Sequence, residues 1–522
     1  MSTKVFPGSL CLLALTILQL HAAVGVQTIL EVGSRKQLFI DDYIIQGLTD
    51  AQQVLNTATK ATNNPVVRPE HPWEGGLNSI EKVLYDKEDG LFKMWYSTSN
   101  DWKAEPGGEM SDYHWTDKGA VREVIKSAHR YAGDHRKYVS RRCYATSRDG
   151  VHWQKPDLGL VEFNGSRSNN ILPADSRVPS FLDTNEKDPA KRYKSIEQIY
   201  APRHFSALEG MQLHLYYSGD GFQWTAEADN PVMDTTPEPG RWGPSSYMGW
   251  DPIRQVYAVH MENCLHRGCP HGKRIVGRAE SPDLKNWSVP QNILLPDERD
   301  PIDAEIYGFP TIAYEGTYIA LAWIFRTTNT LHYPTLAFSR NGVHYERRFR
   351  EPLIQPGDHG SFDEVSIFAH EPIMHRGKVW IYYTGANWRG PEQLFLKKEE
   401  ALRAAGLATL PEDGFVSIDA GKLRPGILIT RPLSFEGSTL TVNMQPARHN
   451  DGAGRAEIKV EILDHQTRPI SDFSLDQSDP LTGCGKLDVS WRGRSDLSAL
   501  AGRPIQLRFW IRNAKLYSFQ FK

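Results

Sequence analysis

Cysteine is scarce in this 522-residue chain, five in all, and one of them, Cys11, lies in the N-terminal apolar stretch. A small disulfide-stapled fold is excluded; a chain of this length can instead bury a large core. An excess of one charge is also missing. The formal net charge of −3 leaves no basic field for nucleic acid and no acidic tail. After the N-terminus no segment reaches the roughly 18 to 20 apolar residues of a membrane helix, so no membrane span is expected. Aromatics, by contrast, make up 11% of the chain, with 14 Trp and 21 Tyr. That composition suits β-structure.

The organising pattern is a repeated turn. Ser147-Arg148-Asp149-Gly150-Val151-His152-Trp153 is followed by Ser218-Gly219-Asp220-Gly221-Phe222-Gln223-Trp224 and Ser281-Pro282-Asp283-Leu284-Lys285-Asn286-Trp287. Ser339-Arg340-Asn341-Gly342-Val343-His344-Tyr345 is a fourth copy, and Asp413-Gly414-Phe415 a degenerate fifth. Asp or Asn before Gly signals a tight turn, because the short side chain bonds nearby backbone and Gly accepts positive φ. The spacings are 71, 63, 58 and 72 residues. Long-period self-similarity among strand-like runs predicts an all-β, five-bladed β-propeller over 26–420. Short alternating runs after residue 421 predict a C-terminal β-sandwich over 421–522. The strand-like run Phe39 to Ile45 is expected to complete the last blade.

Residues 1–25 read as an export signal: Lys4, an apolar core from Leu10 to Leu20, then small Ala22, Ala23 and Gly25. The mature protein is therefore expected outside the cytoplasm, secreted or periplasmic. In such a compartment Cys264 and Cys269, in Cys-Leu-His-Arg-Gly-Cys-Pro-His, are expected to form a disulfide closing a short loop. A zinc site using Cys264, His266, Cys269 and His271 is the alternative, but the spacing matches no standard knuckle, and no metal or cofactor is expected.

The five turns, the leading Leu38-Phe39-Ile40-Asp41-Asp42-Tyr43 stretch and the trailing sandwich resemble exported bacterial proteins of glycoside hydrolase families 32 and 43. The resemblance implies a five-bladed propeller with an appended β-sandwich and action on glycosidic bonds. The family 32 Trp-Met-Asn-Asp-Pro-Asn-Gly and Glu-Cys motifs are absent, and the Arg299-Asp300-Pro301 triplet precedes blade four rather than blade two. These departures speak against fructans and leave the saccharide open.

Glycoside cleavage needs two carboxylates, one protonated and one ionised. Inner strands of a propeller converge on its axis, so acids at their starts are the candidates: Glu81, Asp183, Asp303, Glu305, Glu364 and Glu371, with Asp41 and Asp42 if their strand lies innermost. Glu305, in the apolar and aromatic setting Ile306-Tyr307-Gly308-Phe309, suits a proton donor. Asp183 is then expected as base or nucleophile and Asp303 as modulator, with Glu81 and Glu364 in reserve. The bland alternative for each is a turn cap. Trp73, Tyr113, Trp115, His204, His260, Arg326 and Trp388 are candidate contacts to a carbohydrate substrate, through stacking and polar tips. Two other readings stay open: a sugar-binding propeller without catalysis, and a glycoside phosphorylase, which needs clustered Arg, Lys and His for phosphate.

Overall fold

The computed structural model describes residues 28–74, 76–99, 140–200, 211–234, 243–265, 273–388, 402–421, 424–447 and 456–522. The expected signal, 1–25, lies outside them. No α-helix occurs among the described residues; nearly every element is a strand.

Five antiparallel units form the propeller. Blade 1 runs from Gly76–Asp86 through Leu91–Ser99 to Ser140–Ser147. Blade 2 begins with only Phe181–Leu182, then Tyr193–Tyr200, Met211–Ser218 and Thr225–Ala226. Blade 3 is Gly243–Asp251, Val256–Cys264, Arg274–Ser281 and Gln291–Leu294. The inner strand of blade 4 is split into Ala304–Gly308 and Thr311–Tyr314, followed by Thr317–Arg326 and His332–Ser339. Blade 5 is split likewise, Ser366–Ala369 and Ile373–His375, before Lys378–Ala386 and Arg403–Pro411. Its outermost strand comes from the other end of the chain: Thr59–Lys60 pairs with Thr409 and Ala408. The ring is thus closed by residues 59–60, not by the expected 39–45.

The repeated turn is built as its residues dictate. In the first copy Ser147 Oγ accepts from Gly150 N at 2.9 Å, while Asp149 Oδ1 accepts from Val151 N and His152 N. The second copy repeats these bonds with Ser218 and Asp220, and the fourth with Ser339 and Asn341. Gly150 has φ +78, and a Cβ there would lie 2.7 Å from Tyr382 Oη and 2.9 Å from Trp380 Cζ3 of blade 5. The turn therefore seats one blade against its neighbour.

A second repeat joins the blades. Asp86, Asp183 and Asp251, each at the far end of an inner strand, are buried. Each accepts a bond from a tyrosine of the following blade: Tyr193 at 2.8 Å, Tyr257 at 2.9 Å and Tyr318 at 2.8 Å.

The sandwich consists of two sheets. One contains Leu30–Gly33, Leu433–Phe435, Ile505–Arg512, Gly426–Thr430 and Ile45–Thr49; the other contains Leu440–Pro446, Ala514–Phe521, Val416–Ala420 and Ala51–Leu55. The expected division at residue 420 is corrected here, because residues 30–55 and 416–420 pair within the sandwich. Alternation of side chains makes the leading segment a hinge between two cores: Phe39 enters the sandwich core, whereas Leu38 and Ile40 join Ile319, Leu336, Ile367 and Val379 of blades 4 and 5. At the same junction buried Lys36 donates to Asp413 Oδ1 at 2.9 Å, Glu412 Oε1 at 3.0 Å and Tyr314 Oη at 3.0 Å. Burial opposes both charges. The attraction between Lys36 and Asp413, with bonds from Ser518, Tyr314 and Asn443, outweighs it and holds the Asp413 carboxyl below its ordinary range.

Two stability predictions follow from these contacts. Gly150→Ala should cost roughly 2 to 4 kcal/mol, against roughly 1 kcal/mol for Gly90→Ala, where φ is +65 and nothing lies within 4 Å of the added methyl. Equal losses in urea melts would show that the ring contact at Gly150 relaxes freely. Lys36→Met leaves Asp413 buried and unpaired and should cost roughly 3 to 5 kcal/mol, with Lys36→Met/Asp413→Asn losing less than the sum of the single changes. Because Asp413 is lowered, its contribution is present above the unfolded carboxyl value of about 3.9 and lost as pH falls through the folded value. The wild-type advantage over Lys36→Met should therefore shrink in melts below about pH 4.

Candidate functional site

All five blades contribute to one axial cavity of about 410 Å³. Acids reach it from three of them: Glu81 from blade 1, Glu197 from blade 2 and Glu371 from the break in the inner strand of blade 5. Each has a cation. Arg142 Nε lies 3.3 Å from Glu81, Arg177 Nη1 2.8 Å from Glu197 and Lys82 Nζ 3.2 Å from Glu371. Arg403 and His370 complete the polar wall.

A chain of blade-to-blade bonds frames this cavity. Arg142 Nη1 donates to Ser176 O, Tyr247 Oη to Ile196 O, Ser246 Oγ to Phe309 O, Trp323 Nε1 to Ala369 O and Ile80 N to Thr384 Oγ1. These bonds join blade 1 to 2, 2 to 3, 3 to 4, 4 to 5 and 5 back to 1.

The electrostatics separate the acids. The Glu197 carboxyl is raised above its ordinary value, first by burial, and further by the neighbouring Glu81 charge; Arg177 and Arg142 pull the other way. Of the cavity's acids, Glu197 is thereby the one that holds its proton more readily than an ordinary glutamate. His370 is driven down to about 4, chiefly by burial, and is neutral at pH 7.

The expected donor and its partners lie elsewhere. Glu305 does not line this cavity; it pairs with Arg274, which also contacts Glu262 at 3.2 Å. Asp183 follows the inner strand rather than starting it, capping Asn185 N and accepting from Tyr257 as one of the three interblade aspartates. Asp303 caps Thr328 and pairs with Arg326 at 2.7 Å; burial opposes its charge, but these bonds win and bring it down to about 2. Glu364 accepts from Gly360 N and meets His359 on a loop. Asp41 and Asp42 pair with Arg340 and Arg348. Of the six inner-strand acids expected at the centre, Glu81 and Glu371 line the axial cavity; Asp183, Asp303, Glu305 and Glu364 do not.

Among the expected sugar contacts, His260 is fully buried against Phe309 and Tyr345. Trp73 stacks on His71 and donates to Asn170. Trp388 is buried under Arg403, and Arg326 is held by Asp303. Tyr113, Trp115 and His204 lie outside the described residues. So does Cys269, while Cys264 ends its strand buried.

Glu197 lies on the second strand of blade 2, not on an inner strand where the sequence places the candidate acids. The inner strand of blade 2 pairs with Tyr193 and Lys194 alone, so Ser195, Ile196 and Glu197 of the second strand face the axis directly. The alternation in Tyr-Lys-Ser-Ile-Glu-Gln-Ile-Tyr was the available signal.

No protein-family model matches the chain, and no curated protein does. Solved structures are similar at low identity. A β-1,2-mannobiose phosphorylase from Listeria innocua, in complex with β-1,2-mannobiose, shares 14% identity over 68% of this chain and 96% of its own, with a TM-score of 0.44. A structure from work on glycoside hydrolase family 130, described as mannoside phosphorylases that include hydrolases of β-1,2 linkages in Candida mannan, gives 14%, 69%, 94% and 0.42. A glycosyl hydrolase from Bacteroides ovatus gives 16%, 69%, 97% and 0.41. The propeller assignment rests on the sheet order itself.

Proposed function

We propose that the protein is an exported glycoside hydrolase whose centre is the axial cavity, with Glu197 as proton donor and Glu81 as its ionised partner. The observation that carries this reading is the placement of two carboxylates in one cavity, with Glu197 raised first by burial and further by the neighbouring Glu81. Glu197 delivers its proton to the leaving oxygen as the glycosidic bond breaks. Glu81 supports attack at the anomeric carbon, where water supplies the hydroxyl and its remaining proton restores the acid. Arg142 pairs with Glu81 at 3.3 Å and orients its carboxylate. Outside the cytoplasm, a Cys264–Cys269 disulfide is part of the same proposal.

A second reading, phosphorolysis, draws on the cations that pair with these acids, Lys82, Arg142 and Arg177, and on Arg403 in the same wall, which the sequence did not bring together. Phosphate would then take the place of water.

The test is turnover of a glycan panel with and without inorganic phosphate. Glu197→Gln should lower turnover about 10²- to 10⁴-fold, and less on nitrophenyl glycosides, whose leaving group needs little protonation. The raised donor keeps its proton to higher pH, so the rate should fall as pH rises through its value. Arg177→Gln removes a charge that opposes this and should move that alkaline limb upward. Turnover unchanged by either Glu81→Gln or Glu197→Gln would remove the pair from the chemistry, and strict dependence on phosphate would decide for phosphorolysis.

A further inference from the structure

The charged side of the cavity faces an apolar one. Blades 1 and 2 carry Glu81 and Glu197; in a ring of five, the blade across from both is blade 4, and there Trp323 lines the cavity, half-buried. Its orientation is fixed from three directions. The indole Nε1–H donates to Ala369 O at 2.9 Å. The benzo edge lies on the backbone of Gly308, where an added Cβ would sit 2.3 Å from Cε3. Phe368 of blade 5, itself half-buried and lining the cavity, packs edge-on at 5.5 Å and 77°. His332 braces both rings, 4.0 Å from Phe368 and 5.6 Å from Trp323. A large aromatic so constrained, yet left partly open to a polar cavity, is arranged as a surface for a ligand rather than as core filling.

We propose that Trp323, with Phe368 at its edge, is the stacking platform for a pyranose ring whose glycosidic oxygen is presented to Glu81 and Glu197 across the axis. The inference rests on the hydrolytic reading and adds the ring class of the substrate. A pyranose chair presents a flat patch of axial C–H bonds on one face and polar substituents around its edge. That two-sidedness matches an indole on one wall and paired carboxylates on the other. A five-membered furanose ring offers no such flat patch. The polar contact of the indole nitrogen is already taken by Ala369, so the ring face, not the N–H, is what the ligand meets.

The experiment compares 4-nitrophenyl pyranosides and furanosides, and pyranose- and furanose-based oligosaccharides, as substrates and in titration calorimetry. Trp323→Ala should raise KM or Kd for the pyranoside about 10- to 100-fold, with kcat changed much less. Trp323→Phe should recover most of the loss, and Phe368→Ala should cost a smaller part. If Trp323→Ala fails to fold, Phe368→Ala decides, raising KM with an unchanged melting temperature, while Trp323→Phe, which also loses the bond to Ala369, raises KM only slightly. An unchanged KM in Trp323→Ala, or action on furanosides alone, overturns the platform while leaving Glu81 and Glu197 in place. A raised KM in Trp323→Ala together with unaffected turnover in Glu197→Gln upholds the platform and sinks the acid assignment. Wild-type protein that neither binds nor cleaves any saccharide overturns both.

Discussion

A ring of sheets must hide its own seam, and here the seam is short. Thr59–Lys60 contributes only two residue pairs to blade 5, far too little to hold a closed propeller by itself. The sandwich supplies the restraint. Ala51–Leu55, just before the closing strand, pairs with Val416–Ala420, which follows the last strand of blade 5. Both ends of the propeller chain are thereby fastened to the same second domain. The Lys36–Asp413 contact and the shared core of Leu38, Ile40 and blade 4 and 5 residues fix that domain against the ring. The axial cavity exists because this seam stays closed.

The balance of charges in that cavity follows from burial. An isolated acid on the axis would be costly to ionise, and three would repel one another; a cation beside each of Glu81, Glu197 and Glu371 makes the group tolerable. Glu197 differs from a merely structural ion pair because Glu81 lies close enough to raise it. The aspartates at the far ends of the inner strands show the opposite solution. Asp86, Asp183 and Asp251 each accept from a tyrosine hydroxyl of the following blade and pair with a cation of their own, Lys93, Lys194 and Arg278.

Much of the architecture was legible. Ser-x-Asp/Asn turns mark the ends of strands in blades 1 to 4, because the Ser hydroxyl and the carboxylate or amide must both be present to satisfy the turn's amides. The closing strand was not, since two residues of Thr-Lys carry no periodicity, while the aromatic run at 39–45 reads as a better strand and serves the sandwich. Asp183 and Glu305 were misplaced for a related reason. An acid in an apolar neighbourhood reads the same whether it faces an axis or a neighbouring blade, and only the partners, Tyr257 for one and Arg274 for the other, tell them apart. Asp86, Asp183 and Asp251 recur with Tyr193, Tyr257 and Tyr318 one blade further on, 107, 74 and 67 residues later, a second repeat whose long spacing hides the pairing in the sequence.

The breaks in the inner strands of blades 2, 4 and 5 have a wider meaning. An unbroken inner strand would screen everything behind it, and the cavity could then change only at positions that also close the ring. With the strands shortened or split, Glu197, Trp323 and Thr384 reach the axis from the second rank. Variation at Glu197 leaves the junction bonds untouched, because blade 2 meets blade 3 through the carbonyl of Ile196 and the carboxylate of Asp183, not through Glu197. Chemistry and closure are thus partly uncoupled, and a propeller of this build can acquire a new substrate without having to relearn how to fold.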